Sequence, residues 1–479
     1  MPKYPSLAAI QEALLNGTTT CRALVEHYLE QIARSRALNA YVEVWEGEAL
    51  ERADALDARL SASGPAAMGS LFGAVASLKD NICYAGHQVT AAAKILEGFR
   101  SLYSATAVER LLAQDVIFIG RTNCDQFGMG SSNENSVYGP VRNALDPERV
   151  PGGSSGGAAV ALQTDTCLVA VGSDTGGSVR QPAGFCGLWG FKPTYGRISR
   201  HGLLAYGSSF DQIGFIANNP ADIARFLAVA AGPDDFDSTA GTPPPASERP
   251  AWNPQKIRFG YYPEVLRSEG LEAGVRTVLE TYLEKLRQAG HALQALPLPS
   301  LNGKAVFDYI IPTYYVLTTA EASSNLARYD GIRYGYRSPG ARDLQETYLL
   351  SRTEGFSDEV KRRILLGTFV LSSGYHEAYY RKAQQVRRLI QQQTLADLAG
   401  CDALLMPVAP STAWRFGEKS EDPVAMYLAD VFTVQANLAG VPALALPAGL
   451  HPENGLPVGV QLMAGLWDDE KLLEIGGLL

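Results

Sequence analysis

The sequence predicts an α/β protein, and two observations carry that prediction. From Leu71 onward, short apolar runs alternate with helical patterns, the punctuation of strands joined by helices. The runs Gly73 to Leu78, Val116 to Gly120 and Leu168 to Val171 have strand length, and the segments around Val108 to Leu112 and Ser155 to Ala161 between them read as helix.

In chain order, a helical lead-in covers about 1–60. Thr18-Thr19-Thr20 precedes a segment where Leu24, Tyr28 and Ile32 recur every fourth residue, which predicts an amphipathic helix with a threonine cap. A core over about 70–235 holds the alternating runs. The stretch Gly241-Thr242-Pro243-Pro244-Pro245-Ala246, continuing through Pro250 and Pro254, is too rich in proline for helix or central strand, so about 241–254 is expected to be an exposed connection. A second α/β block over about 255–479 opens with a strand at Ile257 to Tyr261, a helix at Leu271 to Leu286 and a strand at His291 to Leu298. Later strands are expected at Ala403 to Met406, Ala443 to Leu446 and Val458 to Leu462.

Composition excludes several function classes. With 479 residues, 46% hydrophobic and 19% charged, the chain can bury a large core, which excludes general disorder. The start, Met1-Pro2-Lys3-Tyr4-Pro5-Ser6, has no basic segment leading into an apolar stretch, and no apolar run is long enough to span a bilayer. A cytoplasmic protein with no membrane partner is expected. Six cysteines (Cys21, Cys83, Cys124, Cys167, Cys186, Cys401) form no C-x-x-C pair and have no histidine at ligand spacing, so neither a disulfide framework nor a metal site is predicted. The net charge of −9 gives no general attraction to phosphate backbones, so any nucleic acid would be gripped by another subunit.

Two serine-glycine clusters carry the chemistry: Pro151-Gly152-Gly153-Ser154-Ser155-Gly156-Gly157 and Gly172-Ser173-Asp174-Thr175-Gly176-Gly177-Ser178. A hydroxyl nucleophile needs a base and several N–H donors aimed at the developing oxyanion, and glycine lets bare backbone come close enough to supply them. Lys79 closes the apolar run Val75-Ala76-Ser77-Leu78. As a base near neutral pH its pKa must fall from ~10.4 to roughly 7–8, a shift that burial can provide. Together these residues point to acyl transfer without histidine. Gly152-Gly153-Ser154-Ser155-Gly156 also matches the G-x-S-x-G of a nucleophile elbow, for which His201, His291, His376 and His451 are available as bases. The neighbourhood alone does not separate Ser154 from Ser155. No P-loop or dinucleotide fingerprint is present.

The run from Gly152 through Pro193, with both clusters, Arg180-Gln181-Pro182-Ala183 and Gly190-Phe191-Lys192-Pro193-Thr194, resembles the amidase signature family. Lys79-Asp80 stands where that family keeps its catalytic lysine, and the spacings of 75 residues from Lys79 to Ser154 and 24 from Ser154 to Ser178 are typical of it. The resemblance implies an amidase-signature fold over 1–479, with a mixed central sheet covered by helices on both faces. It further implies that Ser178 is the acylated nucleophile, Ser154 the proton relay after a cis peptide, and Lys79 the neutral base. Backbone N–H groups of Thr175, Gly176, Gly177 and Ser178 would then face the oxyanion.

Outside the signature, Tyr314-Tyr315-Val316-Leu317, Ala320 to Leu326, Tyr329 to Gly335, Lys361-Arg362-Arg363, and Asp430 followed by Asn437-Leu438-Ala439-Gly440 resemble the glutaminase subunits of bacterial tRNA-dependent amidotransferases, which act on Glu-tRNA(Gln) or Asp-tRNA(Asn). For those the substrate is L-glutamine. The matching positions imply that Arg363 pairs with its α-carboxylate, Asp430 with its α-ammonium, and Tyr314 with its side-chain end. Taken alone, Arg363 in its basic run and Asp430 read as solvated helix faces. The resemblance also implies ammonia delivery to a B subunit that uses ATP and Mg²⁺ and meets the tRNA, a bracing C subunit, and no cofactor in this chain. The alternative is a stand-alone amidase acting on small or aryl amides with the same triad, and a third reading is a silent scaffold. Departures from the pattern are Ala91-Ala92-Ala93, where cysteine and serine are more usual, and Gln435, where proline is common, and both are expected to alter the active-site wall. The chain stops at Gly476-Gly477-Leu478-Leu479 inside what resembles the family's last helix, which predicts a shortened or differently capped end.

Overall fold

A computed structural model describes residues 3–245, 252–301, 303–419 and 422–479. Its strands are β1 (Tyr41–Val44), β2 (Val75–Lys79), β3 (Ile117–Thr122), β4 (Val169–Asp174), β5 (Trp189–Lys192), β6 (Gln212–Ala217), β7 (Arg258–Tyr261), β8 (Ala292–Ala295), β9 (Ser300–Leu301), β10 (Lys304–Ala305), β11 (Ala403–Pro407), β12 (Ala443–Leu450) and β13 (Pro457–Met463). Eleven of them form one sheet in the order β1-β3-β2-β4-β6-β5-β12-β13-β11-β7-β8, while β9 and β10 pair separately.

The sheet is mixed. β3, β2 and β4 run parallel, as do β11, β7 and β8, and the strands between these two blocks pair antiparallel. The two parallel blocks are the regions where the sequence alternates strand and helix, because a parallel neighbour requires a crossover. The antiparallel middle includes β5 and β6, which sequence periodicity does not mark. Strands on either side of the proline-rich connection meet there, β5 pairing with β12. Of that connection, residues 241–245 and 252–253 take no regular secondary structure, and 246–251 lie outside the described residues.

Every residue of β2, β3 and β4 is buried, which explains their apolar rather than alternating composition. Successive side chains of a strand point to opposite faces. Val169 and Val171 join the large core with Leu24 and Val108, whereas Ala170 joins a second cluster with Ala158, Ala161 and Ala183. Helices therefore cover both faces at β4.

The lead-in forms helices Leu7–Leu15, Cys21–Arg34 and Glu46–Ser63. Thr20 caps the second, its hydroxyl accepting from Ala23 N–H at 3.0 Å, as the threonine run predicts. Leu24 and Tyr28 are buried, and Ile32 is partly so. All six cysteines are free and buried. Among the described residues no helix is long and apolar enough to cross a membrane.

Candidate active site

The site forms where β2 and β4 end side by side, at the carboxyl edge of the parallel block, where open α/β sheets place their ligands. β2 ends on Lys79, fully buried, whose amine reaches three hydroxyls: Ser154 Oγ at 2.8 Å, Ser155 Oγ at 2.8 Å and Ser173 Oγ at 3.0 Å. Burial lowers the Lys79 pKa to about 8, against the opposing pull of Cys124, Asp125 and Asp174. The amine is thus brought into the range where a neutral fraction exists at physiological pH.

Ser154 follows a cis peptide from Gly153. Gly153 leaves no room for a side chain, since a Cβ there would lie 2.2 Å from Asp125 Oδ2. Ser155 donates from its hydroxyl to Ser173 O at 3.1 Å and from its N–H to Ser178 O at 3.1 Å, and it leads directly into helix Gly156–Gln163. Ser178 is 8% exposed, and among the described residues its hydroxyl has no hydrogen-bond partner. Among the described residues no hydrogen bond joins the Ser154 and Ser178 hydroxyls.

β4 ends on Asp174, which organises the second cluster. Its carboxylate accepts from Gly177 N–H at 2.9 Å, Val179 N–H at 3.2 Å, Asn437 Nδ2 at 2.9 Å and both Nε and Nη2 of Arg180 at 3.0 Å. Burial works to raise the Asp174 pKa, but Arg180, helped by Lys192 and Asn437, outweighs it and holds the group near 2. Arg180 is itself fully buried and donates further to Thr433 O, Gln461 Oε1 and Asn437 Oδ1. Gly177 therefore departs from its expected place in the oxyanion set: its N–H already serves Asp174. The amides of Thr175, Gly176 and Ser178 have no acceptor among the described residues. Gly177 has φ +127°, and a Cβ there would lie 2.2 Å from Thr433 Oγ1, so only glycine fits.

Tyr314, Arg363 and Asp430 are brought to this region from helix Phe307–Asn325, helix Asp358–Leu371 and the segment before helix Val434–Ala439. A side chain on Gly176 would meet the Tyr314 hydroxyl at 2.5 Å, so the phenol stands directly against the turn Thr175-Gly176-Gly177-Ser178. Arg363 is buried, with Nε donating to Glu359 Oε1 at 2.7 Å and Nη1 to the Tyr206 hydroxyl at 2.8 Å. Asp430 accepts a hydrogen bond from Ser131 Oγ. Burial raises its pKa to about 7, opposed by Ser131 and Arg363, so a ligand cation would favour its charged form. A cavity of about 360 Å³ is lined by Met129, Ser131, Ser132, Arg363, Lys419 and Tyr427 among others. A larger, mostly apolar cleft of about 840 Å³ meets it at Lys419, and neither cavity is lined by Lys79, Ser154 or Ser178.

The nucleophile-elbow alternative lacks a base. His201 stacks with Tyr103 and Phe236, His291 packs edge-on to Phe259, His376 is exposed beside Glu377, and His451 faces Glu272. None hydrogen-bonds to Ser154, Ser155 or Ser178 among the described residues. The two departures behave differently. Gln435 donates from Nε2 to Thr394 Oγ1 at 3.1 Å, so it faces helix Lys382–Ala399 rather than the Lys79 serine cluster. Ala91 and Ala92 lie in a buried turn with φ of 48° and 52°, wrapped around Asp80, whose carboxylate accepts from Ala92 N–H.

Several side chains of the site escape a reading of the sequence. Ser173 belongs to the second cluster, but nothing local marks it as a partner of Lys79, and Ser131 lies in a third, shorter serine-glycine run, Gly130-Ser131-Ser132. Glu359 precedes Arg363 by four residues, a helical pair spacing visible in the sequence. Tyr206 carries no local signal.

This architecture is shared. The amidase family model matches residues 23–473, and the chain belongs to that family. It is 50% identical over 476 residues to the A subunit of glutamyl-tRNA(Gln) amidotransferase of Chlorobium luteolum, an alignment covering 99% of this chain and 96% of the relative. The crystal structure of the A subunit of glutamyl-tRNA(Gln) amidotransferase from Thermotoga maritima superposes with a TM-score of 0.75 at 36% identity, covering 95% of this chain and 90% of that one. A crystal structure described as an amidase superposes at 0.82 with 30% identity over 99% and 98% of the two chains. The fold is the amidase-signature fold, with its mixed central sheet flanked by helices.

Proposed function

We propose that this chain is the glutamine-hydrolysing subunit of a tRNA-dependent amidotransferase, folded as a single amidase-signature domain over 1–479. The observation that carries the reading is the pair of buried side chains of opposite ionic type, Arg363 and Asp430, with Asp430 held beside the turn that leads to Ser178 through Thr433 Oγ1, which reaches both Asp430 O and Gly176 O. A free amino acid needs one fixed cation and one fixed anion, and arginine holds a carboxylate through two N–H groups. The names of the relatives, which are amidotransferase A subunits, support the same reading.

In the mechanism, the Ser178 hydroxyl turns to donate to Ser154 Oγ, and neutral Lys79 takes its proton through Ser154 as the Ser178 oxygen attacks the glutamine amide. The amides of Thr175, Gly176 and Ser178 stabilise the oxyanion. Lys79 returns the proton through Ser154 to the leaving nitrogen, ammonia departs, and water attacks the acyl-Ser178 ester to release glutamate. Tyr314 bounds the amide end of the pocket. Ammonia passes to a B subunit, which consumes ATP with Mg²⁺ and holds the tRNA, with a C subunit bracing the pair in the cytoplasm.

The test uses ammonia supplied from outside. In the assembled complex, Arg363→Ala or Asp430→Ala should raise the glutamine KM tens-fold to thousands-fold, because a buried ligand charge left unpaired costs about 2–5 kcal/mol. Amidation of the tRNA with added ammonium salt should persist. Normal glutamine use by both variants would favour the stand-alone amidase instead.

A further inference from the structure

Tyr206 joins two parts of the site that the sequence keeps far apart. It is fully buried, and its hydroxyl accepts from Arg363 Nη1 at 2.8 Å while donating to Thr318 Oγ1 at 3.0 Å. Thr318 Oγ1 in turn donates to Tyr314 O at 2.8 Å, within the helix that carries the phenol standing against Gly176. The backbone of Tyr206 is held just as firmly. Its N–H donates to Asp211 Oδ2 at 2.9 Å, and Asp211 Oδ1 accepts from Gly207 N–H at 3.2 Å and from Thr175 Oγ1 at 2.7 Å. Asp211 thus ties the loop carrying Tyr206 to the first residue of the oxyanion turn.

The guanidinium of Arg363 is fixed from several sides. Glu359 takes Nε and Tyr206 takes Nη1, which leaves Nη2 without a partner among the described residues. Three rings, those of Tyr206, Tyr315 and Tyr427, lie 5.3 to 5.6 Å from it. A cation pinned at two nitrogens presents its remaining edge in one direction, and a bidentate carboxylate contact depends on that direction.

We propose that Tyr206, held by Asp211, is a positioning residue that sets the Arg363 guanidinium at a fixed offset from the oxyanion turn, and so selects amides whose carboxylate lies at the right distance from the reacting carbonyl. This rests on the reading of Arg363 given above. Binding of the carboxylate and alignment of the amide then share one strut, Arg363 to Tyr206 to Asp211 to Thr175. No covalent chemistry is asked of Tyr206.

The test is a kinetic cycle on the full chain assembled with its partner subunits, using glutamine and butyramide, an amide with no α-carboxylate. Tyr206→Phe keeps the ring and removes the acceptor. It should raise the glutamine KM about tenfold with a much smaller change in kcat, the effect of losing a hydrogen bond to a charged group. The same change in an Arg363→Ala background should add less than about twofold, because the two residues act through one interaction. Asp211→Asn should lower kcat on both amides, since it loosens the oxyanion turn as well. If Tyr206→Phe does not fold, Thr318→Val frees the phenol from its other side and should raise the glutamine KM about threefold. An unchanged glutamine KM in Tyr206→Phe or Thr318→Val, or equal losses on glutamine and butyramide, would overturn the strut while leaving Arg363 in place. If Arg363→Ala itself leaves the glutamine KM unchanged, the carboxylate reading fails and the strut fails with it.

Discussion

The Lys79 amine donates to Ser154 Oγ at 2.8 Å, and nothing else among the described residues hydrogen-bonds to that hydroxyl. Ser155 Oγ lies equally close to Lys79 but is also committed to Ser173 O. The adjacent serines are therefore distinguished by their second partner: the Ser155 proton has a carbonyl acceptor, whereas the Ser154 hydroxyl is free to exchange its proton.

Ser154→Ala is accordingly expected to lower glutamine hydrolysis by about 10²- to 10⁴-fold, the usual range for losing a proton-transfer group. Ser155→Ala should cost far less in rate and show mainly as lower thermal stability. Steady-state glutamate release by the two variants checks this, and the opposite order would assign the relay to Ser155.

Ser178 is expected to carry the acyl group. Ser178→Ala should abolish hydrolysis, and peptide mapping of the unmodified enzyme, quenched under slow turnover, should find a glutamyl adduct on Ser178. An adduct on Ser154 or Ser155 would revive the nucleophile elbow that the histidine positions argue against.

Lys79 makes a prediction about pH with two readouts. Because the base must be neutral and burial places its pKa near 8, the rate should rise with pH along an acid limb centred near that value, and Lys79→Met should be inactive throughout. Stability follows the same group. Between pH 8 and about 10.4 the unfolded lysine holds a proton that the folded one has released, so the unfolded state binds more protons and stability rises with pH. Relative to Lys79→Met, the wild-type chain should gain up to ~3 kcal/mol across that window, the equivalent of a shift of about two pH units or slightly more. Denaturant unfolding at pH 7.5 and pH 10.5 measures it, and a flat difference would show that Lys79 is not desolvated.

Arg180 is expected to matter for folding as much as for rate. Arg180→Met strands the buried Asp174 carboxylate and should destabilise the fold by about 3–5 kcal/mol. It should also lower kcat, because Asp174 holds the Gly177 and Val179 amides on either side of Ser178. The Asp174 pair, with its carboxylate pKa held near 2, stabilises the fold above about pH 4, and that stability is lost as pH falls toward 2. Thermal melts at pH 7 and single-turnover rates check the two effects, and a normal melting temperature would contradict the network.

The α/β class, the capped helix after Thr20, the strands that end on Lys79 and near Asp174, and the residue types available for acyl transfer are all legible in the sequence. Those features are written in local periodicity, in capping chemistry and in the clustering of glycine with serine, each of which a short stretch of chain expresses on its own. It did not reveal β5 and β6, which are short, contain glycine and take their place in the centre of the sheet from neighbours on both sides. Nor did it reveal that Ser131 meets Asp430 from 299 residues away, that Tyr206 meets Arg363 across 157, or that Asp174 draws the Gly177 amide away from the oxyanion set. These pairings come from the folded packing, because a hydrogen bond between distant segments depends on which side chains are delivered to one buried point, and no local pattern encodes that.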